Sequence, residues 1–404
     1  MKRTFTTMLL AGVAAAAFAG PASAQSGTTV KIGVLSDMSS LYADLAGPGS
    51  IIAAKMAVED FGAAAKGIKV EVVGADHQNK ADVGANIARQ WYDRDSVDVI
   101  VDSPNSAVAL AVNEVTKDKN KVFLNSGAAS SDLTGSKCSP NTIHWAYDTW
   151  MLANGTGKAI VKQGGDSWFF LTADYAFGHA LERDTEAVVL REGGKVAGKV
   201  RVPLNNQDFS SFLLQAQASK AKIIGLANAG GDTTNAIKQA AEFGISAGGQ
   251  KLAGLLVDVN DVNALGLQTA QGLVFTDSWY WDLDDNTRKF AERFSAQNGG
   301  KFPGKIHAGV YSSVIHYLKA VEALKGKSDG AAVVKQMKAT PTDDPLFGKG
   351  EVRIDGRKTH PVYLVEIKKP SESKRQWDYY KILTKIPADE AFRPLKDGNC
   401  PLVN

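Results

Sequence analysis

The sequence predicts an α/β protein built as two similar doubly wound lobes, and three observations carry that expectation. Short β-branched strands alternate with helical patterns, the alternating series starts afresh after residue 147, and the last third of the chain supplies segments that must cross back between the two series. The chain is also long enough, since 404 residues with 44% hydrophobic content can bury two cores.

The first series begins with the apolar run "VKIGVLSDM", which reads as a buried strand. In the following "GPGSIIAAKMAVEDFG", Ile51, Ala54, Val58 and Phe61 share one helical face, with Gly-Pro at the start and Gly62 at the stop. Strand "KVEVVGAD", helix "KADVGANIARQWYDRD", strand "VDVIVDSP", helix "SAVALAVNEVTKDKN" and strand "KVFLNS" continue it, so the sheet is expected to be parallel. After "TIHWAYD" come helix "MLANGTGKAIVKQG", strand "SWFFLTAD", helix "GHALERDTEAVVLREGG", strand "AGKVRVPL", helix "FSSFLLQAQAS", strand "KIIGLANA", helix "TTNAIKQAAEFG" and strand "LAGLLV". "GLVFTDSWYWD" is expected to lead back to the first lobe, where two further helices lie, and strands "VYLVEIKK" and "WDYYKILTK" to return to the second. The expected division is 1–24 leader, 25–147 with 277–359 for lobe one, 148–276 with 360–390 for lobe two, and a tail over 391–404 pinned to lobe one near the hinge.

The leader has the pattern of a cleaved secretory signal peptide: "MKR", the apolar run Met8 to Ala19, then Gly20-Pro21 and small residues ending at Ala24. A membrane anchor would need roughly 20 apolar residues and no such cleavage site. The mature protein is therefore expected to begin at Gln25 and to work in the periplasm of a two-membrane host. Export favours pairing the two cysteines, Cys138 and Cys400, which would tie "DGNCPLVN" to "SKCSPN". Neither C-x-x-C nor H-E-x-x-H occurs and the six His are scattered, so no metal or other cofactor is expected. Forty-six bases against 43 acids, two of the bases in the leader, leave no basic stripe for nucleic acid.

In an open parallel sheet, ligands bind beyond the carboxyl ends of the strands, where helix N-termini favour anions. Six strand ends meet this description: "SDMSSLYAD", "DSPNSAV", "NSGAASSDLTG", "TADYAFG", "NAGGDTT" and "VDVND". They offer hydroxyls, amides and aromatic rings, which suit grip rather than reaction.

Taken in order and at this spacing, "VKIGVLSDMSS", "NSAVALAV", "SGAASSDLTG", "TADYAFGHAL" and "IKQAAEFG" resemble the leucine/isoleucine/valine-binding family of periplasmic proteins, the solute receptors of one class of ABC importer. "GTTVKIGVLSDMSSLYADLAGPG" and "CSPNTIHWAYDTW" are more similar to the relatives that take up benzoate-like aromatic acids. The resemblance implies a type I periplasmic binding protein: two Rossmann-like lobes on a multi-strand hinge, monomeric, closing on a small carboxylate and delivering it to membrane permease subunits. Carried over by position, it implies ligand contacts from Ser40 and Tyr42 at the first-lobe rim and from Asn105, Ser106, Ala128, Ala129 and Ser130 in the two carboxylate-holding loops. From the second lobe it implies Tyr175, Phe177, Asn228, Ala229 and Asp258, the last near an acid that contacts a ligand ammonium.

Bland readings stand beside these. Ser106 and Ser130 are also ordinary helix caps, Asp258 can cap the helix after it, and Tyr175 and Phe177 can pack the lobes together. The Trp279–Trp281 stretch reads as hinge packing. Catalysis finds no support: "NGTGKA" has Ala159 where a phosphate loop needs a hydroxyl, and neither G-x-G-x-x-G nor G-x-S-x-G occurs. A sensor ectodomain would use the same fold but needs a membrane-spanning partner. The ligand remains open between an amino acid, whose ammonium would require Asp258, and an aromatic acid, which would not.

Overall fold

The computed structural model describes residues 28–327 and 329–403, together with Met1. The expected leader beyond Met1, with its cleavage point, lies outside the described residues.

The first βα series folds as β1 (Thr28–Ser36), α1 (Gly47–Phe61), β2 (Ile68–Asp76), α2 (Ala81–Asp93), β3 (Val99–Asp102), α3 (Ser106–Asp118), β4 (Val122–Asn125) and β5 (Thr142–His144). These strands form one parallel sheet in the order β2-β1-β3-β4-β5. Strands β3 and β4 are buried at every residue, as helices on both faces of the sheet require. The buried face of α1 runs through Ala53, Ala54, Ala57 and Phe61, with Ile51 and Val58 only half-buried. The small residues face inward because a second long helix lies along α1. Strand β5, a short piece of "TIHWAYD", completes the sheet and carries the chain out of it.

The second series repeats the plan with α4 (Thr149–Lys162), β6 (Ser167–Ala173), α5 (Ala176–Arg191), β7 (Lys195–Val202), α6 (Ser210–Ala218), β8 (Ile223–Ala227), α7 (Gly231–Glu242), β9 (Lys251–Gly254), α8 (Val259–Leu265) and α9 (Leu267–Ala270). Its parallel sheet has the order β7-β6-β8-β9. Both sheets therefore reverse direction next to their first strand, between β1 and β3 and between β6 and β8.

The remainder is β10 (Val274–Asp277), α10 (Asp285–Gln297), α11 (Lys305–Leu324), α12 (Gly330–Ala339), β11 (Thr342–Asp344), β12 (Gly348–Val352), β13 (Lys358–Thr359), β14 (Val362–Ile367), β15 (Tyr380–Ile386) and α13 (Ala388–Ala391). Helix α11 packs along α1 in the first lobe. Strands β10, β14 and β15, however, extend neither parallel sheet; they make an antiparallel sheet of their own. That sheet leans on the second lobe, where Thr156 of α4 meets the backbone N–H and the hydroxyl of Thr276. Trp279, Tyr280 and Trp281 are buried beside it, and Tyr280 Oη and Trp281 Nε1 both donate to the carbonyl of Trp377. The aromatic run thus packs the crossing region. Cys138 and Cys400 are joined in a disulfide that ties the tail to the loop after β4.

Candidate functional site

Loops at the two reversal points face one another, as expected for ligand sites in such sheets. The loop after β1 is held by the buried carboxylate of Asp37, which accepts from the Ser40 hydroxyl, from Asn79 and, at 2.7 Å, from the backbone N–H of Tyr42. That fixes the Tyr42 ring toward the other lobe. On the far side, Tyr175 precedes α5 and Phe177 lies in its first turn. The two hydroxyls meet across the cleft, with Tyr42 Oη 2.5 Å from Tyr175 Oη.

That pair helps to line a small apolar chamber of about 10 Å³. The first lobe lines it with Tyr42, Leu45, Pro104, Gly127 and Ala129, the second with Tyr175, Phe177, Ala229 and Leu256. Tyr147 and Ile306 complete the wall from the crossing segment and the start of α11. Such a space holds about one water molecule and no organic acid, so admitting a ligand requires the lobes to part. Next to the chamber, sharing Leu45 with it, is a polar mouth of about 430 Å³, lined by Ser40, Leu41, Asn205, Gly230, Asn235 and Asn260 among others. The mouth is narrow where Leu41 approaches Gly230, whose φ of +58° only glycine adopts readily.

Five of the twelve expected contacts therefore line the chamber: Tyr42, Ala129, Tyr175, Phe177 and Ala229. Ser40 lines the mouth. The others are buried nearby, each held by hydrogen bonds within the protein. Asn105 caps α3 by accepting from the N–H groups of Ala107 and Val108, and Ser106 Oγ accepts from Ser130 N–H. Ser130 Oγ accepts from Asp132 N–H, and Ala128 N–H donates to Asn125. Asn228 accepts from Thr233 while its amide nitrogen, buried, has no partner. Tyr147, Leu45, Pro104, Gly127, Leu256 and Ile306 went unnoticed in sequence. Only Tyr147 carried a visible signal, as the polar-tipped aromatic of "WAYD"; its hydroxyl donates to Gly127 O at 2.6 Å.

Asp258 caps α8 and forms a buried ion pair with Lys305, Oδ2 to Nζ 3.0 Å, while Asp277 lies 3.2 Å from the same ammonium. Burial pushes the Asp258 carboxyl up, but Lys305 outweighs it and holds the group below the usual carboxylate range. Burial dominates at Asp277 and raises it to about 6. At the end of β3, Asp102 has a φ of +80° and Ser103 of +66°, both in the left-handed region. Asp102 is fully buried, and that burial, only partly offset by the neighbouring Ser50 and Ser36 hydroxyls, raises it to about 7. The titratable groups of the chamber wall are three tyrosines, all raised above their ordinary range chiefly by burial. The wall therefore offers no nucleophile beside a base.

The profile of a family described as periplasmic binding protein matches residues 29–374. A crystal structure of a periplasmic binding protein from Burkholderia mallei is 55% identical, with a TM-score of 0.90, and the match covers 93% of this chain and 99% of that one. A branched-chain amino acid ABC transporter periplasmic ligand-binding protein from Burkholderia xenovorans LB400 is 40% identical, with a TM-score of 0.82 over 92% of this chain and 99% of its own. At 23% identity, a solute-binding protein of an ABC transporter from Rhodopseudomonas palustris BisB5, in complex with 3,4-dihydroxybenzoic acid, shares the fold with a TM-score of 0.79 over 89% of this chain and 98% of its own.

Proposed function

The chain belongs to the periplasmic binding protein family, and on that premise we propose that it is the extracytoplasmic receptor of an ABC importer, taking one small carboxylate with an apolar or aromatic body between its lobes. The observation that carries this reading is the chamber lined by residues of both lobes at both reversal points. Three tyrosines and Phe177 suit a planar ring, because apolar pockets with few polar groups are the usual small-molecule sites. The relative bound to a dihydroxybenzoic acid supports only the fold for such a ligand. The 40% identical relative described for branched-chain amino acids keeps a second reading alive, since Leu45, Leu256 and Ile306 would equally suit an aliphatic side chain.

In this reading the protein acts as a periplasmic monomer after cleavage behind Ala24, without catalysis, and presents its closed form to the permease. Binding draws on a pre-existing equilibrium between parted and closed lobes. A thermal-shift screen of benzoates, hydroxybenzoates, branched-chain amino acids and their 2-oxo acids tests it, followed by small-angle scattering with each binder. Stabilisation by at least one carboxylate, with compaction from an open form, is expected. A confirmed binder that leaves the dimensions of a parted molecule unchanged overturns the clamp.

A further inference from the structure

We infer that Lys305 is the built-in ammonium of this receptor, filling the acid site beside the chamber and so restricting the ligand to carboxylates without a neighbouring amine. This deepens the receptor reading and rests on it. Lys305 is the first residue of α11 and is 1% exposed. An ammonium has three N–H donors, and here they find three acceptors: Val257 O at 3.1 Å, Asp258 Oδ2 at 3.0 Å and Asp277 Oδ2 at 3.3 Å. Gly304 makes room for the pairing, since a Cβ there would stand 2.3 Å from Asp258 Oδ1.

The cluster lies directly behind the chamber. Tyr147, Leu256 and Ile306 are wall residues; Lys305 precedes Ile306 in the chain, Asp258 follows Leu256 by two, and Lys305 Nζ sits 5.6 Å from the Tyr147 ring centroid. A ligand ammonium entering the chamber would need a carboxylate, because burying an unpaired charge costs several kcal/mol. Neither Asp258 nor Asp277 lines the chamber, and their oxygens are taken by Lys305 and by the N–H groups of Asn260 and Ser278. Asp37, Asp102, Asp148 and Asp232 are other buried acids close by, and none of them lines the chamber; Asp37 accepts from Tyr42 N–H, Asp148 from Met151 N–H and Arg357, and Asp232 from Asn205 N–H. A ligand with only a carboxylate and an apolar body makes no such demand.

Calorimetric titration of the wild-type protein with matched pairs tests this: leucine against 4-methyl-2-oxopentanoate, phenylalanine against phenylpyruvate, with benzoate as a further amine-free acid. The amine-free member should bind about a hundredfold more tightly or better. Asp258→Asn, which keeps Lys305, should leave that ratio unchanged. Lys305→Met combined with Asp277→Asn, which frees Asp258 while removing one charge of each sign, should narrow the ratio by about tenfold or more. Amino acids binding as tightly as their oxo acids in the wild type overturn the inference. So does a selective loss of amino-acid binding in Asp258→Asn, or in Asp102→Asn, because an acid would then be touching the ligand amine. An unchanged ratio in the folded double variant also overturns it; should that variant not fold, the Asp258→Asn ratio decides. Wild-type protein that binds no carboxylate of either kind brings down the receptor reading beneath it, a result distinct from all of these.

Discussion

Tyr42 Oη lies 2.5 Å from Tyr175 Oη, so one hydroxyl pair joins the loop after β1 in the first lobe to the start of α5 in the second. Tyr42 is 2% exposed, and its hydroxyl would be stranded if the partner were lost. Tyr175→Phe should therefore weaken the closed form by about 1–3 kcal/mol, whereas the double Phe variant should lose less, because no hydroxyl is then left unpaired. Scattering should show a larger radius of gyration for the single variant than for the double. A single variant as compact as the wild type shows that the pair does not hold the lobes.

Gly230 makes another close approach across the cleft. A Cβ there would stand 2.8 Å from Leu41 O and 3.2 Å from the Tyr42 ring, in a backbone conformation that alanine resists. Gly230→Ala is expected to prop the mouth open and to weaken ligand binding mainly through faster dissociation. Unaltered dissociation in a stopped-flow displacement experiment contradicts the close approach.

Asp102 gives a pH signature. Burial raises its carboxyl to about 7 from an unfolded value near 3.9. The folded protein then binds the proton more tightly than the unfolded chain, so this group makes stability fall as pH rises from about 4 to about 7. Asp102→Asn removes that fall. Its stability relative to the wild type should rise across the same window and be flat on either side, as read from urea unfolding at several pH values. A relative stability that does not change with pH would show that Asp102 keeps its ordinary carboxylate behaviour.

The disulfide between Cys138 and Cys400 closes a separation of 262 residues. In the chain-entropy account such a link is worth about 5.5 kcal/mol against the unfolded state. Reduction should lower the melting temperature and expose the tail to proteolysis, while ligand affinity changes little, because neither cysteine lines the chamber or its mouth. Loss of affinity in parallel with tail release would tie the tail to the cleft instead.

The parallel sheets were legible because burial on both faces demands unbroken apolar strands, and "VDVIVDSP" or "SWFFLTAD" can hardly be anything else. The reversal-point loops were legible for the same reason, since once strands are placed their carboxyl ends follow; Tyr42, Ala129, Tyr175, Phe177 and Ala229 within them were singled out only by the resemblance carried over by position. The antiparallel sheet of β10, β14 and β15 was not, since its strands come from segments far apart in sequence and alternation does not name a partner. Strands β11 to β13, "TDD", "GKGEV" and "KT", carry no apolar run to mark them.

The amino-acid sequence by itself determined the two βα series, the pairing of two cysteines and which loops lie at the carboxyl ends of the strands, all properties set by local periodicity or by the count of one residue type. Only the tertiary structure decided what each polar group does there. Ser106 and Ser130 bond one another's loops, and Asp258 meets Lys305 across 47 residues of chain. A hydrogen bond or ion pair depends on where two side chains stand in space to within a fraction of an ångström, and no pattern along one strand or helix contains that distance.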